Sequence, residues 1–377
     1  MKSKIKFFIV LSLITSCGFF AAKKIPITEE SNDKDLMRTF DLDQEEAKLY
    51  KVEEESATFL VPKNDELKTN LLTENKKIEP EKNKVNVSNK IIDKKIKTIE
   101  IKSPVTPLVV EAPIVKTPDY PELYPDLLKN YDKNSTNVWK KFKPLFFAGE
   151  KSVMVISYLG VNAGEITISS KNKVRINNRE AYSYQARFKS NELLSYFYWL
   201  DDKLETFVDA EKFIPLKYSL IQREKKQNVD DLQLFNYEKL KTFHWYKRVK
   251  EGNNKEEKIE NFIPKLCQDS FSALQFVRGL PLIKGEKYEF PVVTRGNPWL
   301  LKVEVLNHEV LSIDGKNVKA IKLKAETHFP GVLKKSGDIL FWYADDLDKR
   351  LLKFQAKVKI GSIEGELKEY FPGIKLK

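Results

Sequence analysis

Cysteine, histidine and glycine are all scarce in this 377-residue chain, and each scarcity closes off a kind of chemistry. There are two cysteines, three histidines and 14 glycines. Two cysteines cannot build a disulfide framework, and they do not stand at zinc-ligand spacing. His244, His308 and His328 each sit in a strand-like stretch without a carboxylate or second histidine at ligand spacing. Each therefore reads as an ordinary strand histidine, and no metal or cofactor is expected. No Gly-x-Ser-x-Gly elbow and no phosphate-cradling glycine loop occurs, which removes the usual signatures of a serine hydrolase and of a nucleotide enzyme. Nor is there an apolar run of about 20 residues, the length a membrane-spanning helix needs.

What is abundant is lysine. The net charge is +12, but it is unevenly placed. The first residues carry Lys2, Lys4 and Lys6, residues 18–117 hold 18 basic against 19 acidic side chains, and the remainder holds 45 against 35. A basic surface invites a nucleic-acid reading. The amino terminus argues against one, and anionic head groups or envelope polymers fit an exported chain better.

That terminus is a basic head, the short apolar core Phe7-Phe8-Ile9-Val10-Leu11-Ser12-Leu13-Ile14, and small residues, which is the pattern of a secretory signal over residues 1–16. Leu13-Ile14-Thr15-Ser16-Cys17-Gly18 resembles the lipobox of bacterial lipoproteins. The resemblance implies that Cys17 receives diacylglycerol, that the signal is cut before it and that the new amine is acylated. Three acyl chains suffice for stable anchoring. By the familiar sorting rule, Gly18 rather than Asp favours the outer membrane, facing the periplasm or the cell surface. Cys267 then has no partner, and its place before the apolar stretch Phe271 to Leu280 marks it as a buried, inert thiol.

Residues 17–117 read as a solvated tether. Asn64 to Lys102 is dense in Lys, Glu and Asn, and too poor in apolar surface to offset its ordering entropy. Asp33 to Glu55 reads as a transient charged helix. Pro104, Pro107, Pro113 and Pro118 stiffen the tether's end. About 100 such residues would average roughly 50–60 Å end to end. Residues 118–148 form a partly helical lead-in with an apolar side that includes Tyr120, Tyr124 and Leu128.

From Gly149 to residue 377 the pattern is period two. Val153 and Val155 alternate with Met154 and Ile156; Tyr182, Tyr184, Ala186 and Phe188 share one parity, as do Tyr196, Tyr198 and Leu200. Ile321, Leu323 and Ala325 oppose Lys322, Lys324 and Glu326, while Phe354 and Ala356 oppose Lys353 and Gln355. Such alternation predicts strands with one dry and one wet face. Asp314-Gly315 is a hairpin signal. One segment departs: Asp269 to Leu280 places Phe271, Leu274, Gln275, Val277 and Arg278 at helical spacing, with Asp269 as cap and Gly279 as stop. The expected fold is all-β, a single strongly curved antiparallel sheet or open barrel with one short inserted helix against its dry side.

A series of short motifs supports this. Gly149-Glu150, Tyr158-Leu159-Gly160-Val161-Asn162-Ala163-Gly164-Glu165, Tyr198-Trp199-Leu200-Asp201-Asp202 and Asp269-Ser270-Phe271-Ser272-Ala273-Leu274 come in order. Val277-Arg278-Gly279-Leu280-Pro281-Leu282, Gly285-Glu286-Lys287-Tyr288, Phe341-Trp342-Tyr343-Ala344-Asp345-Asp346 and Ile360-Gly361-Ser362 follow. The series resembles the bacterial family called domain of unknown function 3108, over about residues 149–370. The resemblance implies an exported, β-rich, envelope-associated protein, and it brings no catalytic residue.

Candidate site residues are few. Arg278 stands among apolar neighbours, where a buried guanidinium needs a carboxylate, with Glu286, Asp201 or Asp202 as candidates. Its two readings are an ion pair holding helix to sheet and a contact for an anionic head group. Trp199 and Trp342 belong to aromatic clusters, some of whose members would line a concave apolar hollow. The pairs Asp201-Asp202 and Asp345-Asp346 read as turn residues, since strand neighbours face opposite ways. The expected role is a non-enzymatic binding module for a lipid, hydrophobic ligand or envelope polymer, tethered to a membrane through Cys17. Alternatives are a scaffold of an envelope complex and, less favoured, a glycan hydrolase with dispersed carboxylates.

Overall fold

The computed structural model describes residues 36–54 apart from 38, 41 and 43, and then 119–328, 338–358 and 361–375. The chain divides into two units, Met1–Ala57 with Tyr120–Lys377, and Thr58–Asp119. The signal, Cys17 and nearly all of the second unit lie outside the described residues.

In chain order the elements are α1 (Gln44–Leu49), β1 (Val52–Glu54), α2 (Asp126–Lys141), β2 (Phe147–Ala148), β3 (Lys151–Tyr158), β4 (Val161–Ser170), β5 (Val174–Ile176), β6 (Arg179–Ser190), α3 (Glu192–Tyr198) and β7 (Leu200–Asp209). There follow β8 (Pro215–Glu224), β9 (Asn228–Asn236), β10 (Lys241–Val249), β11 (Lys255–Phe262), β12 (Gln268–Asp269), α4 (Ser272–Arg278), β13 (Lys287–Thr294) and β14 (Asn297–Ile313). The last are β15 (Lys316–His328), β16 (Asp338–Ala344), β17 (Leu351–Lys357), β18 (Ser362–Phe371) and β19 (Ile374–Lys375).

Antiparallel ladders run without interruption from β11 through β10, β9, β8, β7, β6, β4, β3, β18, β17, β16, β15 and β14 to β13. The result is one large sheet that curls on itself without closing into a barrel, as the one-sided strands require. Two-residue turns set the register. Asn177-Asn178 and Asp314-Gly315 have positive φ at both positions, as do Leu159-Gly160 and Arg295-Gly296, the geometry whose twist matches that of the flanking strands. Near the seam, α2 sits beside β13, and Tyr124, just ahead of that helix, donates from its hydroxyl to Ile263 O at 3.0 Å. The β13–β14 turn also reaches across, where Gly296 N donates to Gln233 Oε1 at 3.2 Å.

Two expectations are corrected. Residues 36–54 do not behave as tether: β1 pairs with β5, and Leu36, Phe40 and Tyr50 pack with Ile221, Leu232, Leu234 and Trp245 on the outer face of the sheet. This cover explains why β8 is buried along almost its whole length rather than at alternate residues. It also explains fully buried Lys217, whose Nζ donates to Tyr50 O at 3.1 Å. The second correction is α3. Tyr196 and Tyr198 are helical rather than alternating strand residues, because Asn191 caps the turn by accepting from Leu194 N at 2.7 Å. No helix among the described residues is long and apolar enough to cross a membrane.

Candidate functional site

The inserted helix is α4, close to where the apolar spacing predicts it. Asp269 Oδ1 accepts from the backbone N–H groups of Phe271 and Ser272 at 2.7 and 2.8 Å, and Gly279 ends the helix. Glycine is required there because a Cβ would lie 2.2 Å from the Phe142 ring. The helix lies inside the curl of the sheet, and between the two is a cavity with about 120 Å3 of room for the centres of water-sized molecules. Leu274 and Val277 of the helix face Ile166, Phe188, Leu301 and Phe341 of the sheet across it, and Ser270 and Tyr343 alone among the lining residues carry hydroxyls. The Tyr343 hydroxyl is donated to Leu274 O at 3.0 Å. The apolar lining with a few polar groups is that of a small-molecule site.

An aromatic cluster outside that lining holds the helix. Phe276 stacks on Phe142 with ring centroids 4.5 Å apart, Trp139 lies 4.2 Å away and Phe290 4.9 Å, while Phe213 of the β7–β8 connection meets Phe142 at 4.5 Å. Successive connections of an antiparallel sheet lie at opposite ends. Phe213 is therefore at the end of the sheet away from α3, which connects β6 to β7. At the same end Arg278 anchors the helix. Its Nη1 and Nη2 donate to the two carboxylate oxygens of Glu150 at 2.7 Å each, and its Nε donates to Asp348 O at 2.7 Å. Tyr370 Oη donates to Glu150 as well. Burial works against the Arg278 charge, but the Glu150 hydrogen bonds and charge outweigh it and hold the pKa above its usual value. The partner is thus none of those the sequence suggested. Glu286 pairs with Lys141, Asp201 with Arg187, and Asp202 accepts from Gln222.

The two tryptophans stand outside the cavity lining. Trp199 is buried at the head of β7. Trp342 is on the opposite face of β16 from Phe341 and Tyr343; it donates to Glu309 Oε1 at 2.5 Å and lies under Lys322 and Lys353. Cys267 is fully buried beside Tyr237 Oη, 3.4 Å away, and burial pushes its thiol up to about 12, which keeps it protonated and inert. His244 pairs with Asp231 at 3.0 Å and His308 with Asp345 at 2.9 Å. The His328 side chain lies outside the described residues, and among those described no group of three metal-ligating side chains converges.

Asp201 and Asp202 are strand residues rather than the turn residues expected, whereas Asp345 and Asp346 do occupy a turn. Asp202 is the notable one. Gln222 Nε2 donates both to it, at 2.9 Å, and to Glu224, at 3.2 Å, so two buried carboxylates share one amide. Burial, and then the Glu224 charge, raise the Asp202 pKa well above the carboxylate range. The native state therefore binds more protons than the unfolded chain, and this group makes stability fall as pH rises above about 4. Asp202→Asn removes that liability. Melting temperatures across a pH series are expected to decline less steeply in the variant than in the wild type; parallel curves would contradict the assignment. Neither carboxylate lines the cavity.

The profile of a family described as protein of unknown function, DUF3108, matches residues 153–368. No curated protein matches the chain. Among solved structures, the chain is similar to a β-barrel-like protein of domain of unknown function DUF1849 from Brucella abortus, at 12% identity and a TM-score of 0.41, covering 60% of this chain and 99% of that one. It is also similar to a candidate lipoprotein from Parabacteroides distasonis, at 10% identity and a TM-score of 0.27, covering 61% and 99%. A third is LprF from Mycobacterium bovis, at 11% identity and a TM-score of 0.22, covering 67% and 96%.

Proposed function

The chain belongs to the DUF3108 family, and from its own cavity we propose that it binds the acyl part of a lipid, as a non-enzymatic module held in the bacterial envelope. The supporting observation is the apolar space between α4 and the concave sheet, lined by aliphatic and aromatic side chains. Each methylene moved from water into such a space contributes about 0.8 kcal/mol. A charged head group inside it would be strongly disfavoured, so the tail enters and the head stays at the mouth.

The same reading places lipid on Cys17 and the protein at the outer membrane, facing the periplasm or the cell surface. The docking of residues 36–54 bears on reach. Eighteen residues lie between Cys17 and Leu36, and fully extended they span at most roughly 65 Å, against roughly 340 Å for 100 extended residues. On this reading the sheet has a shorter maximum reach from its membrane than a tether of about 100 residues would allow.

Native mass spectrometry of the membrane-purified protein tests both parts. We expect a near-stoichiometric acyl compound that solvent extraction releases, and an amino terminus carrying acyl mass at Cys17. Ala325 lines the cavity, and Ala325→Phe should abolish the bound compound while circular dichroism stays unchanged. Wild-type protein that carries no acyl compound and takes up no fluorescent fatty acid, or a variant that binds as well as wild type, would remove the proposal.

A further inference from the structure

The end of the sheet that holds α3 carries an apolar surface that the packing of the described residues leaves uncovered. The Leu159-Gly160 turn between β3 and β4 stands next to α3, and the two are fastened together: Asn191 Nδ2 donates to Asn162 O at 2.8 Å and Asn191 N to Ala163 O at 3.3 Å. From this pair of loop tips Leu159, Val161, Leu193, Tyr196 and Phe197 project with 60–81% of their surface exposed. The arrangement is built rather than frayed. Leu159 takes positive φ to make the turn, α3 is capped by Asn191, and Lys225 of the β8–β9 turn donates from Nζ to Phe197 O at 3.0 Å and to Tyr196 O at 3.4 Å. That last contact sets a cation beside the two most exposed aromatics among the described residues, with Lys226 following it in the same turn and Lys189 exposed near the end of β6. Directly below, Ile156, Ile166 and Phe188 belong to the cavity lining.

Exposed apolar patches mark a contact surface, and three features select its partner. The side chains project from narrow tips, whereas a standard protein interface uses about 20–30 residues a side. Aromatic and aliphatic residues flanked by lysines fit the boundary between acyl chains and anionic head groups. The patch also caps the strands β3, β4 and β6, whose Ile156, Ile166 and Phe188 line the apolar cavity. We propose that this rim docks on a lipid bilayer surface bearing anionic head groups, with Leu193, Tyr196 and Phe197 immersed and Lys225 and Lys226 at the phosphates. The use we give it, transfer of an acyl chain between bilayer and cavity, rests on the ligand reading above; the docking itself does not.

The test uses the full chain on vesicles of phosphatidylethanolamine and phosphatidylglycerol, with a nitroxide label at Phe197→Cys and, separately, at Asp314→Cys on the exposed β14–β15 turn at the other end. Collision with oxygen and with a water-soluble nickel complex should report the 197 label within the membrane and the 314 label in water. Vesicles of phosphatidylcholine alone should reduce the immersion. A 197 label that stays aqueous on the anionic vesicles overturns the proposal. So do 197 labels that broaden one another without vesicles as protein concentration rises, since the rim would then be a contact between two copies. The triple variant Leu193→Ser, Tyr196→Ser, Phe197→Ser should extract a fluorescent fatty acid from vesicles at least tenfold more slowly, yet bind the same probe from free solution as wild type does. Immersion of the rim in a protein that binds no fatty acid would remove the ligand reading and leave the docking standing.

Discussion

Arg278→Met is expected to lower the melting temperature by roughly 6–20 °C, read by circular dichroism. The loss follows from what is left behind. Arg278 and Glu150 are both nearly fully buried, and removing the cation strands a carboxylate in a dry site. Breaking a buried pair from one side costs about 3–5 kcal/mol, and each kcal/mol moves the midpoint of a domain this size by about 2–4 °C. The double variant Arg278→Met, Glu150→Met should recover part of the loss, because replacing both charges with apolar groups of similar volume is often near neutral. Recovery would stop short of wild type, since Tyr370 Oη and Asp348 O lose their partners. A single variant that melts with wild type, or a double variant that is worse than either single one, would contradict this account of how α4 is held.

Gly164→Ala should be about as damaging, by a different route. At Gly164 φ is +152°, and a Cβ would lie 2.1 Å from Lys189 O on the neighbouring strand. Real contacts require β6 to retreat by more than an ångström, which breaks the ladder in which Gly164 opposes Ser190. A backbone of this kind costs a non-glycine residue about 1–3 kcal/mol before any clash, so a total of about 3 kcal/mol or more is expected from urea titration. Gly160→Ala is the control. Its φ is +79° but a Cβ there meets nothing within 4 Å, so it should cost only about 1 kcal/mol. Equal losses at the two positions would mean that φ alone, rather than the approach of β6, makes Gly164 necessary.

The elements most legible in the sequence are those governed by local rules. Ile321, Leu323 and Ala325 alternate because β15 has one dry face, Asp314-Gly315 makes the turn its composition predicts, and α4 ends at the expected Gly279, although its N-cap is Phe271 and Asp269 instead accepts from the turn just before it. A curved sheet with a helix inside it follows from those parts, and so does a hollow beneath the helix. What was illegible depends on residues far apart in the chain. Glu150 lies 128 positions from Arg278, and no spacing announces the pair. Leu36, Phe40 and Tyr50 sit in an acidic stretch whose charge masks their apolar spacing, and only the sheet they cover gives them a purpose. Trp342 is as aromatic as Phe341 and Tyr343, but strand parity sends it to the other face, and aromatic content says nothing about parity. For α3 a signal did exist: Asn191 followed by Glu192 is a helix start, hidden by the chance alternation of Tyr196, Tyr198 and Leu200.

The aromatic cluster of Trp139, Phe142, Phe213, Phe276 and Phe290 has a mechanical consequence. It bolts α4 to α2, to the β7–β8 connection and to β13 through Phe276, while Leu274 and Val277 of the same helix line the apolar space. Widening that space by shifting the helix would prise these rings apart, so close-packed aromatic contacts set the stiffness of the helical wall.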